Sequence, residues 1–105
     1  MKWDSSDEKD KRIVEFGRWY GLNEVDDKAP ERAGAYVFIN DSYDVKYVGK
    51  AGARRLRNEI KDAIKRGKDR EATKFGWFAT NSDEAARSLE SDWIKKYDPP
   101  NNVNN

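Results

Sequence analysis

Glu90 is the hardest residue in this chain to explain as ordinary surface. It follows Ala86 by four residues and precedes Ile94 by four, so on a helix it shares a face with apolar positions. A carboxylate at the margin of a core loses hydration and needs compensation. A divalent cation or a guanidinium would supply it. A backbone group or Arg87 would supply it too, and Glu90 would then be only a boundary residue. A second constellation is cationic. Lys50, Arg54, Arg57, Lys61 and Lys65 step along the chain by four, three, four and four. From Arg54 onward that spacing lays them on one helical face, next to the apolar stripe of Leu56, Ile60, Ala63 and Ile64. Such a ridge can reach phosphates in a cleft, or its stems can cover apolar surface while the heads stay in water. Tyr36 and Tyr47 sit in apolar runs eleven residues apart. Each can simply pack in a strand, with its hydroxyl reaching solvent or a partner.

The elements that must position these groups follow from pattern and punctuation. The spacing predicts, in order, a helix, two strands, a helix, a strand and a helix. Ser5-Ser6-Asp7-Glu8 offers a capping box, and Ile13, Phe16, Gly17 and Tyr20 recur at helical spacing up to Gly21. Residues 22–33 are polar, contain Pro30 and read as a linking loop. Residues 35–39 and 45–48 read as strands joined by Asn40-Asp41-Ser42, a connection short enough for an antiparallel hairpin. A helix is predicted over about 53–66, ended by Gly67, then a strand over Lys74 to Thr80. Asn81 with Glu84 caps a last helix that buries Ala86, Leu89, Trp93 and Tyr97 and stops before Pro99-Pro100. The Asn-rich tail, residues 101–105, reads as frayed. The fold class is α+β: a small three-stranded antiparallel sheet flanked by helices, with an extra N-terminal helix. Residues 1–33 form the extension and residues 34–105 a single globular unit.

Composition bounds the chemistry. A chain of 105 residues is one domain with a modest core, which thirteen aromatic residues can fill. Without Cys or His there is no disulfide framework, no thiolate or imidazole metal site and no His general base. The start is acidic and polar rather than a signal peptide, and no apolar run approaches membrane-spanning length, so a cytoplasmic protein with no membrane partner is expected. The formal net charge of +1 hides an asymmetry: residues 46–75 carry eleven Lys and Arg against four Asp and Glu. A local basic field attracts polyanions even when the global charge is near zero, although many charge runs are only solvated faces.

Taken together, Gly34-Ala35-Tyr36, Tyr47-Val48-Gly49-Lys50-Ala51, Arg57, Glu90, Ile94-Lys95, Pro99 and Asn102-Val103 resemble the GIY-YIG nuclease domain family in order and spacing. Segments 47–57 and 90–103 look like the N-terminal nuclease domain of the bacterial excision-repair incision subunit. The resemblance implies hydrolysis of a nucleic-acid phosphodiester, with DNA as the expected substrate and one divalent cation, Mg²⁺ or Mn²⁺, as cofactor. By position, Glu90 would hold the metal. Tyr36 would be the general base or would position the attacking water, Tyr47 would hydrogen-bond the scissile phosphate or the base, and Arg57 would stabilise the transition state. Asn102 would brace the site near Glu90. Lys50, Arg54, Lys61 and Lys65 would bind nucleic acid. Mg²⁺ tolerates a single carboxylate because it keeps several waters.

Two positions depart from the family pattern. Residue 35 is Ala where a larger aliphatic is usual, and residue 61 is Lys where many members carry His or Tyr, which shifts its role toward phosphate binding. Residues 1–33 have no counterpart in the motif; they can cap the core, form a protein-partner surface or limit access to the basic face. The alternatives to a stand-alone endonuclease are a catalytically inactive nucleic-acid-binding module and a protein-interaction module on the same fold.

Overall fold

In the computed structural model, which describes residues 1–103, four strands make one sheet: β1 (Glu15–Gly21), β2 (Gly34–Ile39), β3 (Val45–Ala51) and β4 (Lys74–Ala79). Every neighbouring pair is antiparallel, and the spatial order is β1-β4-β2-β3. β2 lies inside the sheet, and all six of its residues are buried. Strand alternation divides them between two cores. Tyr36 and Phe38 face one layer with Leu56, Ile60, Ala63, Phe75 and Trp77. Ala35, Val37 and Ile39 face the other with Val48, Phe78, Leu89, Trp93 and Tyr97. The β2–β3 hairpin is closed by Asn40, whose side-chain oxygen accepts from the Ser42 and Asp44 amides.

A helix covers each face. Between β1 and β2, a 3-10 turn (Leu22–Glu24) leads into the short α1 (Val25–Lys28). The helix α2 (Leu56–Lys65) packs on the Tyr36 face through Leu56, Ile60 and Ala63. Burying Leu56 and Ile60 stabilises the fold by roughly 1.5–3 kcal/mol each. Its first turn has no capping side chain. Instead the Leu56 and Arg57 amides donate to the Arg32 and Pro30 carbonyls, so the segment before β2 satisfies the donors that a helix start leaves over. The helix α3 (Asp83–Tyr97) covers the opposite face, starts at a Ser82 cap that accepts from Ala85 N–H, and ends at left-handed Asp98.

The predicted N-terminal helix is instead a 3-10 turn (Ser5–Lys9) followed by strand β1, and the sheet has four strands rather than three. Asp4, not Ser5, caps the turn. Without β1, β4 would be an open edge with unpaired amides and carbonyls; pairing with β1 satisfies them. Gly17, read as a helix-face residue, lies against the Trp77 indole, where a Cβ would not fit. Helix α2 begins at Leu56 rather than near 53, because Gly52 to Arg55 make a turn in which the Arg55 amide donates to the Gly52 carbonyl and Arg54 is left-handed. The tail, read as frayed, instead forms a 3-10 turn at Pro100–Asn102, and Asn101 is buried. Asn104 and Asn105 lie outside the described residues.

Candidate active site

Strand β3 is a sheet edge, so groups from both helical layers can meet beside it. They do so around a polar cavity of about 340 Å³ walled by Tyr36, Tyr47, Lys50, Gly52, Glu59, Arg66 and Glu90. Tyr36 comes from the interior strand, Tyr47 and Lys50 from the edge strand, Glu59 from α2, Arg66 from its C-terminal cap and Glu90 from α3. The two phenols stand close, with ring centroids 6.1 Å apart. Gly49 is the cross-strand partner of Tyr36. A Cβ there would fall on the Tyr36 ring and hydroxyl, so only glycine at this place lets the phenol lie flat across β3. The Tyr36 hydroxyl donates a long bond, 3.5 Å, to the Glu59 carbonyl.

Charge and burial are in tension here. Burial pushes the Tyr36 hydroxyl well above the usual phenol range; Tyr47 and Glu59 reinforce the shift, and Arg66 opposes it. Tyr47 is raised too, chiefly by burial and secondarily by Glu90, with Arg66 again opposing. Glu90 is raised by burial, and Lys50 pulls it back. The Lys50 ammonium is 3.9 Å from the Glu90 carboxylate, whose side chain is only 20% exposed. Both phenols are therefore held neutral by the protein, and Glu90 is a carboxylate that gains from an added cation.

The remaining sequence-predicted residues are placed differently. Arg57 is not in the cavity wall: its Nε donates to the Ala29 carbonyl at 2.8 Å, and Nη1 is 3.5 Å from Glu31. Arg54 is exposed in the turn before α2. Lys61 is paired with Asp26 at 2.9 Å, and Lys61 and Lys65 border a separate cavity with Leu22, Val25 and Ile64. Asn102 stands at the free edge of β3, where its amide both accepts from Val48 N–H and donates to the Val48 carbonyl, each at 2.9 Å. It thus acts as a short substitute strand, holding the backbone between Tyr47 and Gly49. Two wall residues, Glu59 and Arg66, escaped the sequence reading. They are seven residues apart on one helical face with Ala63 between them, and that small residue in the apolar stripe was the available signal.

The donor set suits a hard cation. Two carboxylates and two phenol oxygens line a cavity with little apolar surface, and Mg²⁺ is content with one carboxylate plus waters. Among the described residues no cluster of three or more acidic side chains gathers, which argues against an all-protein cage.

Comparison with known proteins identifies the family. Residues 32–103 match the UvrC-like GIY-YIG domain family. The chain is 32% identical over 89 residues to the UvrABC system protein C of Mycoplasma mycoides, covering 78% of this chain and 15% of that protein. It is 34% identical over 83 residues to the same protein of Clostridium tetani, covering 70% and 13%. The chain therefore matches only about a seventh of the length of these relatives. The GIY-YIG N-terminal endonuclease domain of UvrC from Thermotoga maritima, solved with its catalytic magnesium, is similar in structure. Its TM-score is 0.67 at 30% identity, covering 78% of this chain and 96% of that one. This chain belongs to the UvrC-like GIY-YIG domain family.

Proposed function

We propose that this protein is a metal-dependent endonuclease that hydrolyses phosphodiester bonds of DNA. The observation that carries the reading is the convergence of Tyr36, Tyr47, Lys50 and Glu90 on one polar cavity. Glu90 would hold a divalent cation, Mg²⁺ or Mn²⁺, which supplies charge neutralisation at the nonbridging and leaving oxygens of the phosphate. Tyr36, kept as a neutral phenol by burial, orients the attacking water through its hydroxyl rather than starting as a base. Tyr47 donates to a phosphate oxygen. Lys50, beside Glu90, would donate to a phosphate oxygen, and Arg66 would supply a guanidinium from the same cavity wall. Arg57 joins the site only by giving up the Ala29 carbonyl. Asn102 keeps the Tyr47 to Gly49 backbone in register.

Supercoiled plasmid incubated with Mg²⁺ or Mn²⁺ should be nicked. Glu90→Ala should lower the rate at least about 10³-fold, several kcal/mol of transition-state stabilisation, while DNA binding persists. Full turnover in that variant, or in excess chelator, defeats the assignment. The orientation of Arg57 and Lys61 toward the 22–33 segment favours a second reading, a binding module without turnover. It predicts salt-sensitive DNA binding and no cleavage of duplex, single-stranded or branched DNA with either metal. Among the described residues, no helix is long and apolar enough to cross a membrane.

A further inference from the structure

Arg66 borders two cavities. One is the pocket of the two phenols. The other, about 230 Å³, is walled by Arg66, Gly67, Lys68, Arg70, Asn101 and Val103. No acidic residue lines the second cavity. Among the described residues none of Arg66, Lys68 and Arg70 forms an ion pair; Glu71 of the same loop turns away to Lys46 at 3.6 Å.

This loop is built rather than loose. The Asn101 side chain is buried and its amide donates to both the Lys68 and the Arg70 carbonyls at 2.9 Å, while its oxygen lies 3.4 Å from an Arg70 nitrogen. Gly67 supplies the left-handed turn that lets the chain leave α2. The groove adjoins the pocket: Arg66 walls both, and the Lys68 ammonium is 5.9 Å from the centre of the Tyr47 ring, which walls the phenol cavity. Three donor-rich cations around a polar cavity suit phosphate oxygens, and their place beside the pocket suits a polyanionic strand.

We propose that Arg66, Lys68 and Arg70 form a second phosphate subsite that holds the nucleic-acid backbone next to the phosphate in the pocket. The subsite rests on the nuclease reading for the strand's direction, but its own test needs no turnover. Lys68 and Arg70 touch neighbouring phosphates only, so they contribute to affinity for a strand and not to bond cleavage.

The test uses the full chain and a labelled single-stranded oligonucleotide, with affinity measured in chelator across a range of salt. Lys68→Gln/Arg70→Gln should flatten the slope of log affinity against log salt by about 1.4, at about 0.7 for each phosphate contact on a single strand. Lys9→Gln/Lys11→Gln removes the same charge from exposed lysines of the N-terminal segment and should leave the slope unchanged. Should the double variant fold poorly by circular dichroism, Lys68→Gln alone retains the Arg70–Asn101 contact and should flatten the slope by about 0.7. A minimal substrate, thymidine 5′-(p-nitrophenyl phosphate), should be hydrolysed equally by wild type and Lys68→Gln/Arg70→Gln, while KM for the oligonucleotide rises. Equal slope changes in both double variants would mean diffuse charge and overturn the subsite, as would an unchanged slope. Polyglutamate displacing the oligonucleotide as well as unlabelled DNA does would reassign the groove to acidic protein. A wild type that cleaves nothing defeats the nuclease reading, and the salt slope still decides the groove.

Discussion

The two faces of the sheet are built to different ends. On the α3 face Trp3, Trp19, Phe78, Trp93 and Tyr97 interlock: Trp3 lies 5.0 Å from Trp93, 5.2 Å from Phe78 and 5.4 Å from Tyr97, edge-on, tilted and stacked respectively. The N-terminal segment is tied down there, with the Trp3 indole on Glu8 and the Tyr97 hydroxyl on Asp7. On the α2 face two tyrosines, Tyr36 and Tyr47, pack beside Phe38 and help wall a polar cavity. One face is closed by aromatic packing. The other leaves its core open at the β3 edge, where desolvated oxygen groups can meet a substrate. Glu90 links the two: with Lys50, which shares its side of the sheet, it meets the two phenols in one cavity at the β3 edge.

Changes on each face should therefore separate stability from activity. The largest effect is expected from Trp93→Ala, which empties the middle of the aromatic stack and should cost about 3–5 kcal/mol in denaturant unfolding. Activity per folded molecule should hold well below the melting temperature; a site that fails before the fold does would show that the α3 face is not merely supporting. Next comes Gly49→Ala. It forces Tyr36 off the β3 backbone, and a displacement of about 1 Å should lower kcat about 10²-fold. An unaltered kcat would mean that the phenol has no positioning role.

Arg66→Ala and Arg57→Ala sharpen the contrast within α2. Loss of a charge-assisted contact at the phosphate should lower kcat/KM about 10- to 100-fold in Arg66→Ala. Arg57→Ala should act mainly through the Ala29 carbonyl, lowering the melting temperature with a smaller kinetic change. The reverse ranking would show that Arg57 swings into the pocket when substrate is bound. The smallest effect concerns Glu90 and pH. Burial raises its folded pKa above the unfolded value, so relative to an uncharged side chain its cost is absent below the unfolded pKa of about 4.3 and grows as pH rises through the folded value. Glu90→Gln should therefore melt higher than wild type at pH 7 in chelator and converge with it near pH 4. A lower melting temperature at pH 7 would mean that the Lys50 pair outweighs burial.

Part of the candidate site was legible through the family resemblance, whose motif residues sit at set intervals along the chain. Tyr36, Tyr47, Lys50 and Glu90 were named from sequence and the structure brings them to one cavity. Arg57 was also named, but the 29–31 segment, an element with no periodicity to read, supplies its partners. Arg66 was harder to read because it is the C-terminal cap of α2, just before the turn at Gly67, although its amide still donates to the Asp62 carbonyl. The N-terminal strand was read as a helix because Ile13, Phe16 and Tyr20 fit a 3.6-residue period, and no local feature announces that β4 lacks a partner.

Sequence by itself determined the alternating strands, the two amphipathic helices, the concentration of positive charge in residues 46–75 and the absence of imidazole and thiol chemistry. Those depend on residue types within a few positions of one another. Tertiary structure alone decided that residues 15–21 complete the sheet, that Asn102 closes the edge of β3, and that Arg66 rather than Arg57 faces the phenols. Each of these satisfies a backbone group or positions a charge across nineteen or more residues of chain, and such pairings are set by which partners remain unbonded once the core has formed.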